Sequence, residues 1–332
     1  MVSISGNLWG LVLAGGDGER LKDFVRTRLN SERPKQFCTF HGTRSMLGNT
    51  LERVRRQIAP QRIIVSINSR HIDFARPDLG DLSEDNIIIQ PENKDTGPGI
   101  LFPLLHLHRR DPGSTVCVLP ADHLIRPEAL FMDQIESAVR YVEVHTEDLL
   151  LLGAEAHYPE TDYGWIEPGG IIAISDGREI LGVRNFWEKP NFEKAQELAD
   201  SGCLWNTMVM VGKVRTFLER LRQVTPHLYH SFLPVMKSLG SPLEKEIARA
   251  VYASVPRTNF STTVLQREMA HLVVMPAKGV HWSDWGRGER IEMDLALMSA
   301  QHTSTLNPRI AREQIPNISL RQGRHREAPG AN

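Results

Sequence analysis

The 332-residue chain is short of cysteine, aromatic residues and net charge: it has three cysteines, 7% aromatics and a formal charge of −1. Each scarcity removes a class of protein. Cys38, Cys117 and Cys203 are an odd number without metal-ligand spacing, so neither a disulfide scaffold nor a cysteine-held metal is expected. Their apolar neighbours predict buried, reduced thiols in a cytoplasmic protein. A balance near zero supplies no field to attract nucleic acid or an acidic membrane, and no basic, aromatic-lined face is evident. No apolar run reaches the roughly 18 residues of a membrane-spanning helix. No cationic segment followed by an apolar core opens the chain, so no signal peptide is expected. Internal repeats are also missing.

What is present is an alternation. Apolar runs at 8–14, 62–67, 86–90, 115–120 and 149–154 read as strands. Between them lie helical patterns near 45–59, 99–110 and 127–145; in the first, Leu47, Leu51, Val54 and Ile58 recur on one face. This order predicts an α/β fold, a doubly wound, mostly parallel sheet with helices on both faces and ligands at the carboxyl ends of its strands. From 155 the texture changes. Residues 163–166 and 170–188 read as antiparallel strands with a Ser175-Asp176-Gly177 turn. A helix at about 191–201 stops at Gly202, and 203–212 reads as a strand. The stretch 213–254 is helical, broken near Pro226, Pro234 and Pro242. A strand pair is expected at 271–282 and a helix from 288 to about 299. After 301 the polar, aperiodic chain reads as a flexible tail.

Two strand ends carry chemistry. The run 8–14 empties into Gly15-Gly16-Asp17-Gly18 and then Glu19-Arg20-Leu21. Leu21 stands where a dinucleotide fingerprint needs its last glycine, and no Gly-Lys-Ser/Thr completes a P-loop. What remains is a loop whose backbone N–H groups can approach phosphate oxygens, with Arg20 able to bind them bidentately. The other reading of the loop is a tight structural turn. Lys35, presented after Arg33-Pro34, is either a point charge for the same phosphates or a surface lysine. Asp122 ends the run 115–119 in Pro120-Ala121-Asp122-His123 and suits a hard cation such as Mg²⁺. Such an ion needs further ligands; Asp284, in His281-Trp282-Ser283-Asp284-Trp285-Gly286, is the obvious second carboxylate. Each aspartate could equally cap a turn. His123 and His281 are assigned structural roles.

Eight segments stand in a telling order: LVLAGGDGERL at 11–21, RPKQF at 33–37, QPENKDTGPG at 90–99, VLPADH at 118–123, TDYGWIE at 161–167, FWEKP at 186–190, WNTMVMVG at 205–212 and WSDWG at 282–286. Over residues 8–298 the chain resembles the sugar-1-phosphate nucleotidyltransferases, within them the bacterial mannose-1-phosphate guanylyltransferase branch. The resemblance implies a Rossmann-like, GT-A-like nucleotidyltransferase domain over 1–300 with a sugar-binding lobe. About 1–155 would be the nucleotide-binding half, about 156–300 the sugar-phosphate-binding half, and 301–332 the tail. It implies Mg²⁺-assisted transfer of a nucleotidyl group from an NTP, foremost GTP, to a sugar 1-phosphate, foremost mannose 1-phosphate, giving GDP-mannose and pyrophosphate.

Carried over by residue, Leu13, Gly15, Gly16, Gly18 and Thr96 would bind the nucleotide, with Gln90 near the base. Arg20 would hold the departing pyrophosphate, Lys35 would neutralise the reacting phosphates, and Asp122 and Asp284 would bind Mg²⁺. Gly164, Glu188 and Asn206 would meet the sugar hydroxyls and Lys189 the sugar phosphate. A phosphate monoester is already anionic near neutral pH, so no general base is needed and charge neutralisation with in-line positioning suffices. Nucleic acid and membrane are not expected as partners; a homo-oligomer stays open.

The chain departs from the family pattern in places. Lys94-Asp95-Thr96-Gly97-Pro98-Gly99 replaces a usual Arg-Asn-Thr-Ala-Pro-Ala, and Asn259 to Gln266 replaces Ser-Ile-Asp-Tyr-Ala-Val-Met-Glu without its two acids. Lys22 to Arg28 is a basic insert, and no cupin-like segment follows, so phosphomannose isomerase activity is not expected. Two alternatives stand beside the leading one: another pair, such as UTP or dTTP with a hexose or heptose phosphate, and a catalytically silent subunit that senses nucleotide-sugars. Retention of both metal-site carboxylates argues against the second.

Overall fold

The computed structural model describes residues 7–306, with side chains described through Ala300. Strand β1 (Leu8–Ala14) leads through α1 (Lys22–Leu29) and α2 (Met46–Arg55) to β2 (Ile63–Asn68). After α3 (Ile72–Leu79), β3 (Ile87–Gln90) and α4 (Thr96–Arg110) come β4 (Thr115–Pro120), the short β5 (Leu124–Arg126), α5 (Glu128–Val144) and β6 (Leu149–Glu155). The second half holds β7 (Gly164–Ser175), β8 (Arg178–Glu188), α6 (Phe192–Asp200), β9 (Leu204–Lys213) and four helices, α7 (Val214–Val224), α8 (Pro226–Ser231), α9 (Leu233–Ser238) and α10 (Glu244–Ser254). Strands β10 (Leu272–Pro276) and β11 (His281–Ser283) precede α11 (Gly288–Leu306). Residues through Gly288 make one compact unit, and Glu289 opens a second.

One sheet of nine strands carries the first unit, in the order β3-β2-β1-β4-β9-β6-β10-β8-β7. Strands β1 to β4 pair in parallel, as do β6 and β10, while β8 and β9 run against their neighbours. Alternate side chains leave opposite faces of a strand. In β1, Val12 and Ala14 join a core with α2, α3, α5 and α6, and Leu11 joins the other core, with α4, α7 and α10. Leu47, Leu51 and Val54 of α2 are fully buried, and each contributes roughly 1.5–3 kcal/mol by leaving water. The Ser45 hydroxyl accepts from Gly48 N at 2.9 Å and fixes where α2 begins, a cap worth about 1 kcal/mol.

Some expectations change. The strands at 271–282 do not pair with each other: β10 enters the main sheet between β6 and β8, and β11 pairs with β5 in a separate ribbon. Both are too short to reveal their partners from local pattern. The basic insert is helical, with Val25 buried in α1. Helix α11 runs to Leu306, past the expected stop near 299; the remainder of the expected tail lies outside the described residues. The 175–177 turn appears as read, with Asp176 and Gly177 both at positive φ, the geometry of a tight hairpin. The three cysteines are buried and unpaired.

Candidate active site

Sheet register brings the first site residues together. β1 and β4 are parallel neighbours with Leu13 beside Pro120, so the glycine loop after β1 and Asp122 after β4 leave the same edge side by side. β2 and β3 end at that edge too, followed by Arg70 and His71 and by Asn93 to Thr96. A cleft of about 510 Å³ opens there. Asp17, in the loop, ties the strand ends together: it accepts from Arg70 Nη2 at 3.1 Å and Asn93 Nδ2 at 2.9 Å, with His71 Nε2 at 3.5 Å. Gln36 holds the loop from the other side, donating to Ala14 O at 3.1 Å and Gly16 O at 2.7 Å. Neither role was foreseen, because both depend on loops distant in sequence. Two glycines have physical reasons: a Cβ on Gly15 would lie 2.6 Å from Gln90 Nε2, and Gly18 has φ of 67°. Gln90 itself donates to Ser66 Oγ at 3.0 Å, which anchors it in the floor.

Lys35 is a buried residue, 6% exposed, which removes the surface-lysine reading. Its ammonium sits 3.0 Å from Asp122 Oδ2 and donates to the Asp284 carbonyl oxygen. Asp284 arrives by way of the β11–β5 ribbon, whose register sets Ser283 opposite Leu124. Its Oδ1 accepts from Gly286 N at 2.6 Å, and its Oδ2 lies 3.7 Å from Arg20 Nη2. The four residues assigned catalytic roles therefore adjoin as two ion pairs, Arg20 with Asp284 and Lys35 with Asp122, joined through the Asp284 backbone carbonyl. Burial would raise the Asp122 carboxyl, but the charges of Lys35, His123 and Arg20 outweigh it, and Asp122 titrates below the usual carboxylate range. Burial pushes His123 down to about 4 against the pull of Asp122, so it is neutral near pH 7. Its Nδ1 accepts from Trp282 Nε1 at 3.1 Å and the rings stand edge-on, the structural part assigned to it.

Leu13, Gly15, Gly16, Gly18, Arg20, Lys35, Gln90, Thr96, Asp122 and Lys189 line the cleft. Gly164, Glu188 and Asn206 do not; they meet one another beside Lys189. A Cβ on Gly164 would lie 2.8 Å from Glu188 Oε2 and 3.2 Å from Asn206 Cβ. Asn206 Oδ1 accepts from Met208 N at 3.0 Å, holding Met208 at a φ of 57°. Burial raises the Glu188 carboxyl, Asp95 adds to the rise, and Lys189 opposes it. Asp95, Lys189 and Met208, all cleft residues without the freedom of glycine, have positive φ, as does Trp285 next to Asp284. Such strain is maintained where a site requires a particular backbone direction.

The two aspartates fit a divalent cation in one respect and require help in another. They are hard oxygen donors facing one pair of cations, but the described residues offer no group of three or more metal-ligating side chains. Mg²⁺ tolerates this arrangement, since it commonly takes one or two carboxylates and completes its shell with phosphate oxygens and water. Among the described residues no helix is long and apolar enough to cross a membrane.

The chain is 30% identical to the mannose-1-phosphate guanylyltransferase of Salmonella montevideo over 282 residues, covering 83% of this chain and 57% of that protein. It is 30% identical over 285 residues to the enzyme of the same description from Escherichia coli K12, covering 84% of this chain and 58% of that one. The chain thus spans well under two thirds of the length of these curated relatives. A crystal structure from Thermus thermophilus, described as a mannose-1-phosphate geranyltransferase, superposes with a TM-score of 0.70 at 26% identity, covering 84% of this chain and 76% of that one. The nucleotidyl transferase family model matches residues 9–291, the span that contains every side chain of the site above, and the chain belongs to that family.

Proposed function

We propose that the protein transfers a nucleotidyl group from GTP to mannose 1-phosphate, releasing pyrophosphate and forming GDP-mannose. The observation that carries this reading is the run Arg20, Asp284, Lys35 and Asp122 at the mouth of a glycine-rich loop, with Lys189 on the same cleft. Residues up to about 155 would supply the nucleotide-binding half and those from about 156 to 300 the sugar-phosphate half. In the reaction a phosphate oxygen of the sugar 1-phosphate bonds to the α-phosphorus, and the bond to the bridging oxygen of the β-phosphate breaks. Backbone N–H groups of Gly15, Gly16 and Gly18 would receive the triphosphate beside Leu13, Gln90 and Thr96. Arg20 would stabilise the departing pyrophosphate, and Lys35 would neutralise charge where two anions meet. Gly164, Glu188 and Asn206 would contact the sugar, and Lys189 its phosphate. Asp122 and Asp284 would hold Mg²⁺, which when bound supplies further neutralisation of phosphate charge. The need for a nucleoside triphosphate supports a cytoplasmic reaction.

The relatives' descriptions support GTP and mannose 1-phosphate as the first pair to try. Purified protein with Mg²⁺, each common NTP and a panel of hexose and heptose 1-phosphates should release pyrophosphate fastest with that pair. Release with another pair alone would reassign the substrates, and no release with any would overturn the enzymatic reading.

A further inference from the structure

One charged group in the cleft has no part in this scheme. Arg257 lines the same cavity as Lys189 and Asn259, is exposed, and has no hydrogen-bond or ion-pair partner among the described residues. Of the four Lys and Arg residues that line the cleft, two are paired, Lys35 with Asp122 and Arg20 with Asp284, and two, Lys189 and Arg257, are not. Nor is Arg257 on a loose loop. Its neighbours are strapped to the start of α4 by four hydrogen bonds. Thr258 N donates to Lys94 O at 3.0 Å, and Gly97 N donates to Thr258 O at 2.7 Å. Asn259 Nδ2 donates to Asp95 Oδ1 at 3.2 Å, and Phe260 N donates to Thr96 Oγ1 at 2.8 Å.

The strap requires glycine at 97, because a Cβ there would sit 2.7 Å from the Thr258 carbonyl oxygen. The whole segment 255–266 contains no carboxylate. Ser261, within it, donates to Met208 Sδ at 3.1 Å and offers the cleft no charge. Lys189 and Arg257 thus both line the cleft without an ion-pair partner among the described residues; Lys189 has the Glu188 carboxyl nearby, whereas the segment around Arg257 holds no acid.

We propose that Arg257 is a second anion-binding residue of the acceptor side, gripping an anionic oxygen group of the sugar-phosphate substrate together with Lys189. The inference rests on the acceptor being a sugar phosphate, as above. A guanidinium binds such a group with two parallel N–H···O bonds, each charge-assisted. The anion is either the 1-phosphate itself or a second acidic group on the sugar, and mannose 1-phosphate and mannose 1,6-bisphosphate distinguish the two.

The test measures steady-state kinetics of wild type, Arg257→Ala, Arg257→Lys and Gly97→Ala with both acceptors. If Arg257 holds the 1-phosphate, Arg257→Ala raises KM for mannose 1-phosphate about tenfold or more, the loss of one charge-assisted contact, while KM for GTP stays within about twofold. Arg257→Lys recovers part of the loss, and Gly97→Ala reproduces it in weaker form by displacing the strap. If it holds a second group, the wild type favours the bisphosphate and Arg257→Ala erases that preference alone. An unchanged KM for both acceptors, or an equal rise in KM for GTP, overturns the proposal. Calorimetric binding of mannose 1-phosphate and the bisphosphate to wild type and Arg257→Ala separates this from failure of the catalytic reading. Should no pair turn over, weaker binding by the variant still supports the anion site, and equal affinities for both ligands overturn it.

Discussion

The two walls of the cleft handle charge in opposite ways. On the glycine-loop wall both cations of the two ion pairs are engaged: Lys35 is wedged between Asp122 and the Asp284 backbone, and Arg20 faces Asp284. On the opposite wall the side chains of Lys189 and Arg257 are exposed and have no hydrogen-bond or ion-pair partner among the described residues. Lys35, paired and buried, is held in one place and acts by position, whereas Arg20 is itself exposed and meets Asp284 only at 3.7 Å. An unpaired, exposed cation keeps its charge available for an incoming anion, at the cost of side-chain freedom lost only on binding. The difference suits a reaction in which one wall must be organised before chemistry and the other must capture a small anionic acceptor.

The comparison breaks most visibly at Lys35. Lys35→Met should lower kcat about a hundredfold or more, as when a group that stabilises developing charge is removed. It should also destabilise the fold, because it strands Asp122. The cost is about 2–4 kcal/mol, at the lower part of the range for a broken buried pair because the Asp122 side chain is 33% exposed. Thermal denaturation of the variant checks the second half. An unchanged melting temperature would show that the Lys35 ion pair is not structural.

The matching change on the other wall should behave differently. Lys189→Met is expected to raise KM for the sugar phosphate about ten- to a hundredfold, with the melting temperature falling less than in Lys35→Met, because no ion pair is broken and only the distant pull of its charge on Glu188 is lost. A drop in stability comparable to that of Lys35→Met would erase the distinction between the walls.

The smallest effect is expected at Glu188. Burial raises its carboxyl, so the folded state prefers it protonated, and ionising it costs stability as pH rises from the unfolded value through the raised folded one. Glu188→Gln removes that cost. The variant should melt slightly above wild type at pH 7, with the gap closing toward pH 4, while its KM for the sugar phosphate worsens. Melting curves across that range decide it; a gap that widens toward acid would reverse the sign.

Much of this site was legible because its chemistry is local. The glycine loop, Arg20, Lys35 and Asp122 each announce themselves by residue type at a strand end, and the alternation of strands and helices placed those ends on one edge. Asp284 was named from its segment, but its route to Lys35 was not: β11 is three residues long and pairs with β5, not with β10 as its sequence position suggested. The insert 22–28 displayed its charge but not its helix, since only Val25 of α1 is buried and little apolar periodicity marks it. Asp17, Gln36 and Arg257 escaped because their meaning lies in what they touch or fail to touch. An aspartate among glycines reads as a turn, and an arginine between a proline and a threonine reads as surface.

The sequence by itself determined the class of fold, the buried faces of its helices and the residue types available for phosphate chemistry. Each of these follows from hydrophobic period or side-chain charge, properties a residue carries wherever it sits. Only the tertiary structure decided which cleft cations have an ion-pair partner and which, among the described residues, have none. Pairing is a matter of a few ångströms between segments remote in the chain, set by sheet register and by one close backbone approach at Gly97, and no local pattern encodes such distances.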